Sequence, residues 1–357
     1  MSVEHKNIRN VSLSELIGHL ESIGEKKFRA KQVYEWIWKK GIRSFDEMHN
    51  VSNKVVEYLT ENFFLDTFTI SDKQQSNDGT IKCAFSTYDN HVTEGVLIPT
   101  SSRVTACISS QVGCSLACKF CATGRLKLMR NLTPGEIYDQ VKLLNELSEE
   151  AYGQRLSNIV FMGMGEPLLN YKNTVKGIEM ISSEDGLGFS PKRITVSTAG
   201  IAKMIEKMGD DEVKFNLALS LHAANDKKRS EIMEINDSNN LEILAAALKH
   251  FYEKTKTRVT FEYIIFKDFN DEIEDAKELA EFCKNVPVKI NIIEYNPIDD
   301  GEFQQADPKK VDAFAAYLES CNLVVNVRRS RGKDIDAACG QLANKNKSIE
   351  LKERVLK

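Results

Sequence analysis

The chain has 357 residues, 42% hydrophobic and 28% charged, with 7 Pro and 19 Gly, which leaves room for one large domain or two ordinary ones and excludes collagen-like, mucin-like and largely disordered classes. No apolar run reaches the ~18 residues of a membrane span, and Met1 to Asn10 lacks the apolar stretch of a signal peptide, so a cytoplasmic protein with no membrane partner is expected. With 48 Lys and Arg against 52 Asp and Glu the net charge is −4, which at face value argues against a nucleic-acid partner.

Residues 1–65 read as a small helical module: Leu13, Leu16, Ile17 and Leu20, then Val33, Trp36 and Ile37, recur at helical spacing, and Ser12 or Ser14 could cap the first helix. Residues 66–102 turn to short alternating runs separated by Asn77-Asp78-Gly79 and Asp89-Asn90 turn signals, a short antiparallel β extension. From 103 to 342 apolar runs at 104–110, 158–163, 193–198, 213–222, 258–266, 288–295 and 323–329 alternate with helix candidates at 133–149, 171–183, 200–208, 240–256, 271–284 and 308–321. Strand then helix, repeated about six times, predicts an α/β core with a parallel sheet, either doubly wound or curled into a partial (βα)6-type barrel, with its site at the C-terminal strand ends. Residues 343–357 read as a polar tail.

Charge is unevenly spread along these elements. Lys26–Arg43, Lys119–Arg130 and Arg328–Lys333 together carry +14, leaving −18 on the rest. Mostly acidic surface with a few basic patches suits a protein that holds a polyanion in one orientation, provided the patches converge.

Eight cysteines in a reducing compartment are not a disulfide framework, and clustered ones point to metal or redox chemistry. Cys114, Cys118 and Cys121, spaced CxxxCxxC after the first strand of the repeat, can give thiolates to three irons of a 4Fe-4S cluster and leave the fourth iron open. A structural zinc with Cys107 as fourth ligand is the rival, which would make the chain a non-catalytic RNA-binding module. The next strand ends in Met162-Gly-Met-Gly165-Glu166-Pro167, a glycine turn that lacks the third glycine of a dinucleotide fingerprint. Cys83, Cys283 and Cys321 sit in apolar patterns and are expected to pack in the core. Cys339, in Asp334-Ile-Asp-Ala-Ala-Cys339-Gly340, follows the basic Arg328–Lys333 run, which should favour its thiolate.

With CxxxCxxC, MGMGEPL, Ser220-Leu221-His222 and DIDAACGQL in this order, the chain resembles the RlmN/Cfr family of RNA methyltransferases in the radical SAM superfamily, from the FRAKQVYEWIW segment to Leu342. The resemblance implies a 4Fe-4S cluster on Cys114, Cys118 and Cys121, and S-adenosylmethionine held by Gly165, Glu166, Ser197, Ser220, Leu221, His222 and Asn296. It implies methylation of adenine carbon 2 (adenine 2503 of 23S rRNA, adenine 37 of some tRNAs), with carbon 8 the alternative seen in Cfr. Polar transfer fails there, because S-adenosylmethionine offers an electrophilic methyl and the amidine carbon is itself electrophilic. In the implied mechanism Cys339 is methylated by one S-adenosylmethionine; a second is cleaved to a radical that activates that methyl for addition to the ring. Cys107 then releases the protein–RNA adduct by forming a disulfide with residue 339, and Glu94 takes the proton. Flavodoxin or ferredoxin would supply electrons, and the protein would act as a monomer. Two departures stand out: Lys127-Leu128 replaces a common Gly-Phe, and Glu294 replaces a proline before Asn296-Pro297.

Overall fold

The computed structural model describes residues 6–66 and 68–344; the polar tail expected at 343–357 lies, but for its first two residues, outside the described residues. Strand β1 (Lys6–Asn7) leads into α1 (Leu13–Ser22). Ser12 caps this helix: its hydroxyl accepts the Glu15 N–H, and the Glu15 carboxylate accepts the Ser12 N–H at 2.7 Å, satisfying two donors the helix start leaves free. Helix α2 (Lys27–Glu35) runs into a π turn over Trp36–Lys40 that Gly41 ends with φ 59°. A side chain at Gly41 would meet Lys142 Cε at 2.4 Å, so this turn lies flush against the core. Helix α3 (Asn53–Asn62) and β2 (Phe63–Phe64), parallel to β1, close the region.

The π turn buries Trp38, whose ring meets Tyr138 edge-on at 5.3 Å and whose carbonyl accepts the Tyr138 hydroxyl. Arg9, equally buried, lies between Asp139 and Asp66, 3.7 Å from the latter. Burial pushes the Asp66 carboxyl up to about 6 although Arg9 opposes the shift. Apolar side chains of α1–α3 belong to the same continuous cluster as those of the sheet.

Ten strands form one sheet. Strands β3 (Thr69–Gln75), β4 (Ile81–Ser86), β5 (Val92–Pro99) and β6 (Val104–Cys107) pair antiparallel. Two-residue strands β7 (Gln111–Val112) and β8 (Arg130–Asn131) then bracket the cysteine loop. Helix α4 (Pro134–Tyr152) starts from a Thr133–Glu136 capping box with proline in its first turn. The alternation continues through β9 (Asn158–Phe161), α5 (Tyr171–Ser182), β10 (Ile194–Thr198), α6 (Ala202–Asp210), β11 (Asn216–Ser220), α7 (Asp226–Ile232), α8 (Leu241–Thr255), β12 (Val259–Ile265), α9 (Ile273–Phe282), β13 (Val288–Glu294), α10 (Pro308–Ser320) and β14 (Val324–Arg328).

Parallel order runs β6, β9, β10, β11, β12, β13, β14 without reversal. A doubly wound sheet reverses its order at a switch point; uninterrupted order with right-handed crossovers keeps the helices on one face and curls the sheet, which decides for the partial barrel. Every residue of β12 is buried, as in a parallel strand covered on both faces. The short α7 has no counterpart among the predicted helices.

Candidate active site

The C-terminal strand ends open on one cavity of about 390 Å³. Cys107, Cys114, Cys118, Cys121, Gly165, Glu166, Ser197, Ser220, His222 and Cys339 all line it. A shallower groove of about 560 Å³ beside Lys228 and Glu272 holds none of the predicted residues.

The cysteine loop leaves β7 at Gly113 (φ 76°), where a Cβ would lie 2.1 Å from the Lys127 carbonyl oxygen, so only glycine fits. Burial above all, with repulsion from the neighbouring thiols added, pushes Cys114 up to about 11 and Cys118 well above its ordinary value. Cys114 and Cys118 give up their protons together only to a strongly electrophilic centre, and a 4Fe-4S cluster that takes three thiolates from this loop meets that requirement. No three His, Cys, Asp or Glu side chains among the described residues converge as a single-ion site.

At the end of β9 the backbone is held too tightly for side chains. A Cβ on Gly165 (φ 92°) would fall 2.4 Å from Gln111 Cβ, and one on Gly163 2.6 Å from Ser109 Oγ. Gln111 Oε1 accepts the Glu166 N–H at 2.8 Å. The Glu166 carboxylate accepts Leu168 N–H at 2.9 Å and Ala199 N–H at 2.7 Å, bracing the turn after β9 against the turn after β10; burial pushes it up to about 7. Ser197 Oγ lies 3.4 Å from Ser220 Oγ across adjacent strands. The buried His222 takes φ 56°, its Nδ1 accepts the Ile264 N–H at 3.1 Å, and burial depresses its pKa to about 3. It is therefore neutral, with its proton on Nε2.

Behind these residues stands Arg229 of α7, fully buried, which sequence reasoning missed. Its guanidinium donates to Ala199 O at 2.6 Å, Asn236 Oδ1 at 2.7 Å and Leu221 O at 3.2 Å, with Ser220 O at 3.4 Å, tying the end of β10 to the end of β11. Burial lowers its pKa only to about 10, so it is a fixed cation near Cys118. In the segment Asp-Lys-Lys-Arg-Ser-Glu-Ile nothing but the three-residue spacing to buried Ile232 marks it.

Three predicted residues stand behind the cavity wall. Leu221 packs its side chain in the core and spends its N–H on Glu262 O and its carbonyl on Arg229. Asn296 is buried and donates to Cys339 O at 3.3 Å, while its amide oxygen has no partner. Glu94, also buried, accepts the N–H groups of Ala343 at 2.9 Å and Asn344 at 3.1 Å. Residues 339–344 thus form a strap over the cavity. Ala122 N–H on Gly340 O at 2.7 Å, Thr123 Oγ1 on Leu342 O at 2.6 Å and Gln341 Nε2 on Pro297 O at 3.0 Å fasten it further.

Cys339 is exposed to this cavity, whose enclosing walls strip it of bulk water; that desolvation raises its pKa, with Glu262 adding to the rise and Arg328 opposing it. The basic run therefore does not lower the pKa of this thiol as its position in the sequence suggests, because desolvation outweighs one cation. Cys107, buried, is likewise a free thiol whose ionisation feels that of Cys339. Cys83 and Cys283 pack in the core as expected. Cys321 does not: it is exposed at the end of α10.

Arg328, Arg329 and Arg331 of the third basic run line the cavity, and of the eight cations in the second and third runs four pair with carboxylates among the described residues. Arg130 bonds Asp89 and Glu136; Arg329 and Lys333 both bond Glu294, the residue in place of proline; Arg331 pairs with Asp78. Among the described residues Arg328 has no ion-pair partner within 4 Å. In the first run Lys26, Lys27, Lys31, Lys39, Lys40 and Arg43 are exposed.

Residues 6–65 match the family described as Ribosomal RNA large subunit methyltransferase N-terminal domain, and residues 108–283 match the Radical SAM superfamily. A "Probable dual-specificity RNA methyltransferase RlmN" of Cytophaga hutchinsonii is 57% identical over 96% of this chain and 94% of its own. The chain belongs to the RlmN family of dual-specificity RNA methyltransferases. A second RlmN relative, from Flavobacterium psychrophilum, is 55% identical over 97% of this chain and 99% of its own. The crystal structure of a radical SAM methyltransferase from Sphaerobacter thermophilus superposes with a TM-score of 0.88 at 36% identity, covering 94% of this chain and 99% of that one. Membership in the family and the radical SAM fold makes the protein a radical SAM RNA methyltransferase and sets aside the non-catalytic zinc-bound reading. The superfamily implies a 4Fe-4S cluster and S-adenosylmethionine. No helix among the described residues is long and apolar enough to cross a membrane.

Proposed function

We propose that this enzyme methylates carbon 2 of an adenine, adenosine 2503 of 23S rRNA and adenosine 37 of certain tRNAs, with Cys339 as the methyl carrier. The observation that carries the reading is the placement of a free thiol, Cys339, on the same cavity as the three cysteines of the CxxxCxxC loop, strapped to that loop through Ala122 and Thr123. When bound, the cluster and S-adenosylmethionine supply the radical that a carbon without an acidic proton requires. Cys114, Cys118 and Cys121 would hold the cluster. Gly163 and Gly165, which pack this turn against Ser109 and Gln111, would present their backbone to the cofactor, and neutral His222 offers an Nε2–H donor.

Cys107, which shares the cavity with Cys339, is the second thiol of the pair and attacks the sulfur of residue 339 to release the product; a donor such as flavodoxin or ferredoxin supplies electrons, and a reductant must reopen the resulting disulfide. Glu94 is the proton acceptor at the ring carbon. Its Oε2 accepts both strap amides and its Oε1 lies 3.9 Å from Lys82 Nζ behind the cavity wall, so that service requires the strap to lift at Ala343 and Asn344. The test is a mass measurement on peptides containing Cys339 from active enzyme, with nucleoside analysis of the RNA product. A methyl on Cys339, lost in Cys118→Ala, together with 2-methyladenosine is expected. A methyl-free Cys339 in turning-over enzyme refutes the carrier, and methylation elsewhere on the base refutes carbon 2.

A splayed target base leaves the rest of the RNA to be held by phosphate contacts and shape. The exposed cations of residues 26–43, on the helical region 1–65, are the proposed grip. Charge reversal at Lys39, Lys40 and Arg43 together should weaken RNA binding by at least about tenfold and flatten its salt dependence, with cluster content unchanged. Filter binding across a salt series reads both, and an unaltered slope discards the grip.

A further inference from the structure

Glu262, in the middle of β12, belongs to none of the motifs that carry the family resemblance. It is 4% exposed, lines the cavity, and stands directly beside Ser220 on β11 and Asn291 on β13 in the strand register. One carboxylate oxygen accepts Asn291 Nδ2 at 2.7 Å, and Asn291 is itself braced by Asn326 of β14 at 3.4 Å. The other oxygen is buried without any hydrogen-bond partner. Leaving a carboxylate oxygen orphaned in a protein interior costs free energy, and a side chain so placed in a binding cavity persists where a ligand completes its hydrogen bonds.

The cavity's layout says which part of a ligand lies there. Glu166 lies at the turn after β9, bonded to Gln111 at the start of the cysteine loop, whereas Glu262 lies three strands across the sheet on β12. The cavity thus runs from a cluster end at Glu166 to a carrier end at Glu262, one of the charged groups that act on Cys339 along with Arg328 and Cys121. S-adenosylmethionine whose amino-acid part sits at the cluster extends its nucleoside toward the carrier end. There a carboxylate with a vacant acceptor site matches the one part of that nucleoside with two adjacent O–H donors.

We propose that Glu262 binds the ribose hydroxyls of the nucleoside cofactor, held in register for them by Asn291. This rests on the reading of the cavity as the cofactor site. Completing the hydrogen bond of a buried carboxyl oxygen that would otherwise stay unpaired changes affinity by about 10- to 100-fold. Neutralisation of Glu262 leaves the Asn291 contact available to a glutamine carbonyl, so Glu262→Gln should preserve the fold.

The test uses cluster-loaded enzyme and equilibrium dialysis, with S-adenosylhomocysteine and its 2′-deoxy and 3′-deoxy counterparts as probes, so that no turnover is needed. Wild-type enzyme is expected to bind at least one deoxy analogue about tenfold or more weakly than S-adenosylhomocysteine. Glu262→Gln should bind S-adenosylhomocysteine about as weakly as that analogue and distinguish the two much less. Equal binding of all three by the wild type, or full discrimination retained in Glu262→Gln, overturns the assignment. A parallel arm measures RNA oligonucleotides with and without a 2′-hydroxyl at the target adenosine; discrimination lost only in that arm moves the contact to the RNA ribose and likewise overturns it. Failure of wild-type enzyme to bind S-adenosylhomocysteine at all overturns both this assignment and the reading of the cavity. Should Glu262→Gln not fold, the wild-type analogue series still decides.

Discussion

Alanine in place of Cys339 is expected to abolish RNA methylation, a loss of at least about a thousandfold, while cluster absorbance and RNA affinity stay unchanged. Removal of a covalent carrier leaves no partial pathway, because the acceptor carbon does not react with the electrophilic methyl of S-adenosylmethionine directly. The separation of effects follows from how the strap is held. Asn296 bonds the backbone carbonyl of residue 339, and the neighbouring contacts from Ala122, Thr123, Gln341 and Glu94 use backbone groups of residues 340–344 or the Gln341 side chain. None uses the thiol, so alanine keeps the strap fastened and the cavity shaped. Methylation assays on rRNA fragments, with the ultraviolet-visible spectrum of the anaerobic protein, check both halves. Residual turnover within tenfold of wild type would remove Cys339 from the reaction.

Arg229→Met is expected to cost about 3–5 kcal/mol of stability and to weaken S-adenosylhomocysteine binding in whatever protein remains folded. The guanidinium is enclosed and serves Ala199, Ser220 and Leu221 carbonyls and the Asn236 side chain. Methionine fills similar volume but donates nothing, leaving these acceptors buried and unpaired at about 1–3 kcal/mol for a fully stranded group. Two of the carbonyls belong to Ser220 and Leu221, directly before His222, so the ends of β10 and β11 should also separate at the cavity floor. Urea unfolding gives the first quantity and equilibrium dialysis the second. A stability change below 1 kcal/mol would mean that water replaces the guanidinium, contrary to its complete burial.

The parallel strands and their six intervening helices were legible because each carries its own local signature. Apolar β-branched runs of the right length, amphipathic segments between them and a serine before the first helical run need no distant residue to be recognised. The helix α7 escaped because its seven residues are too short for a period and its buried residue is an arginine. Cys321 misled for a related reason: an apolar neighbourhood in sequence does not say on which side of the last helical turn a residue falls. The fate of the basic runs was hidden because their partners, Asp78, Asp89, Glu136 and Glu294, come from elements apart from the runs themselves.

By itself the sequence determined the CxxxCxxC loop, the block around Cys339, the family resemblance and the strand–helix alternation, since each rests on residues close together in the chain. Only the tertiary structure decided between doubly wound sheet and curled barrel, because that depends on strand order. The fold alone brings Cys339 to a loop more than 200 positions away and places Leu221, Asn296 and Glu94 behind the wall rather than on it. It also leaves the Glu262 carboxylate oxygen without a partner. These are properties of which groups meet and which are cut off from water, and neither is written in any single stretch of chain.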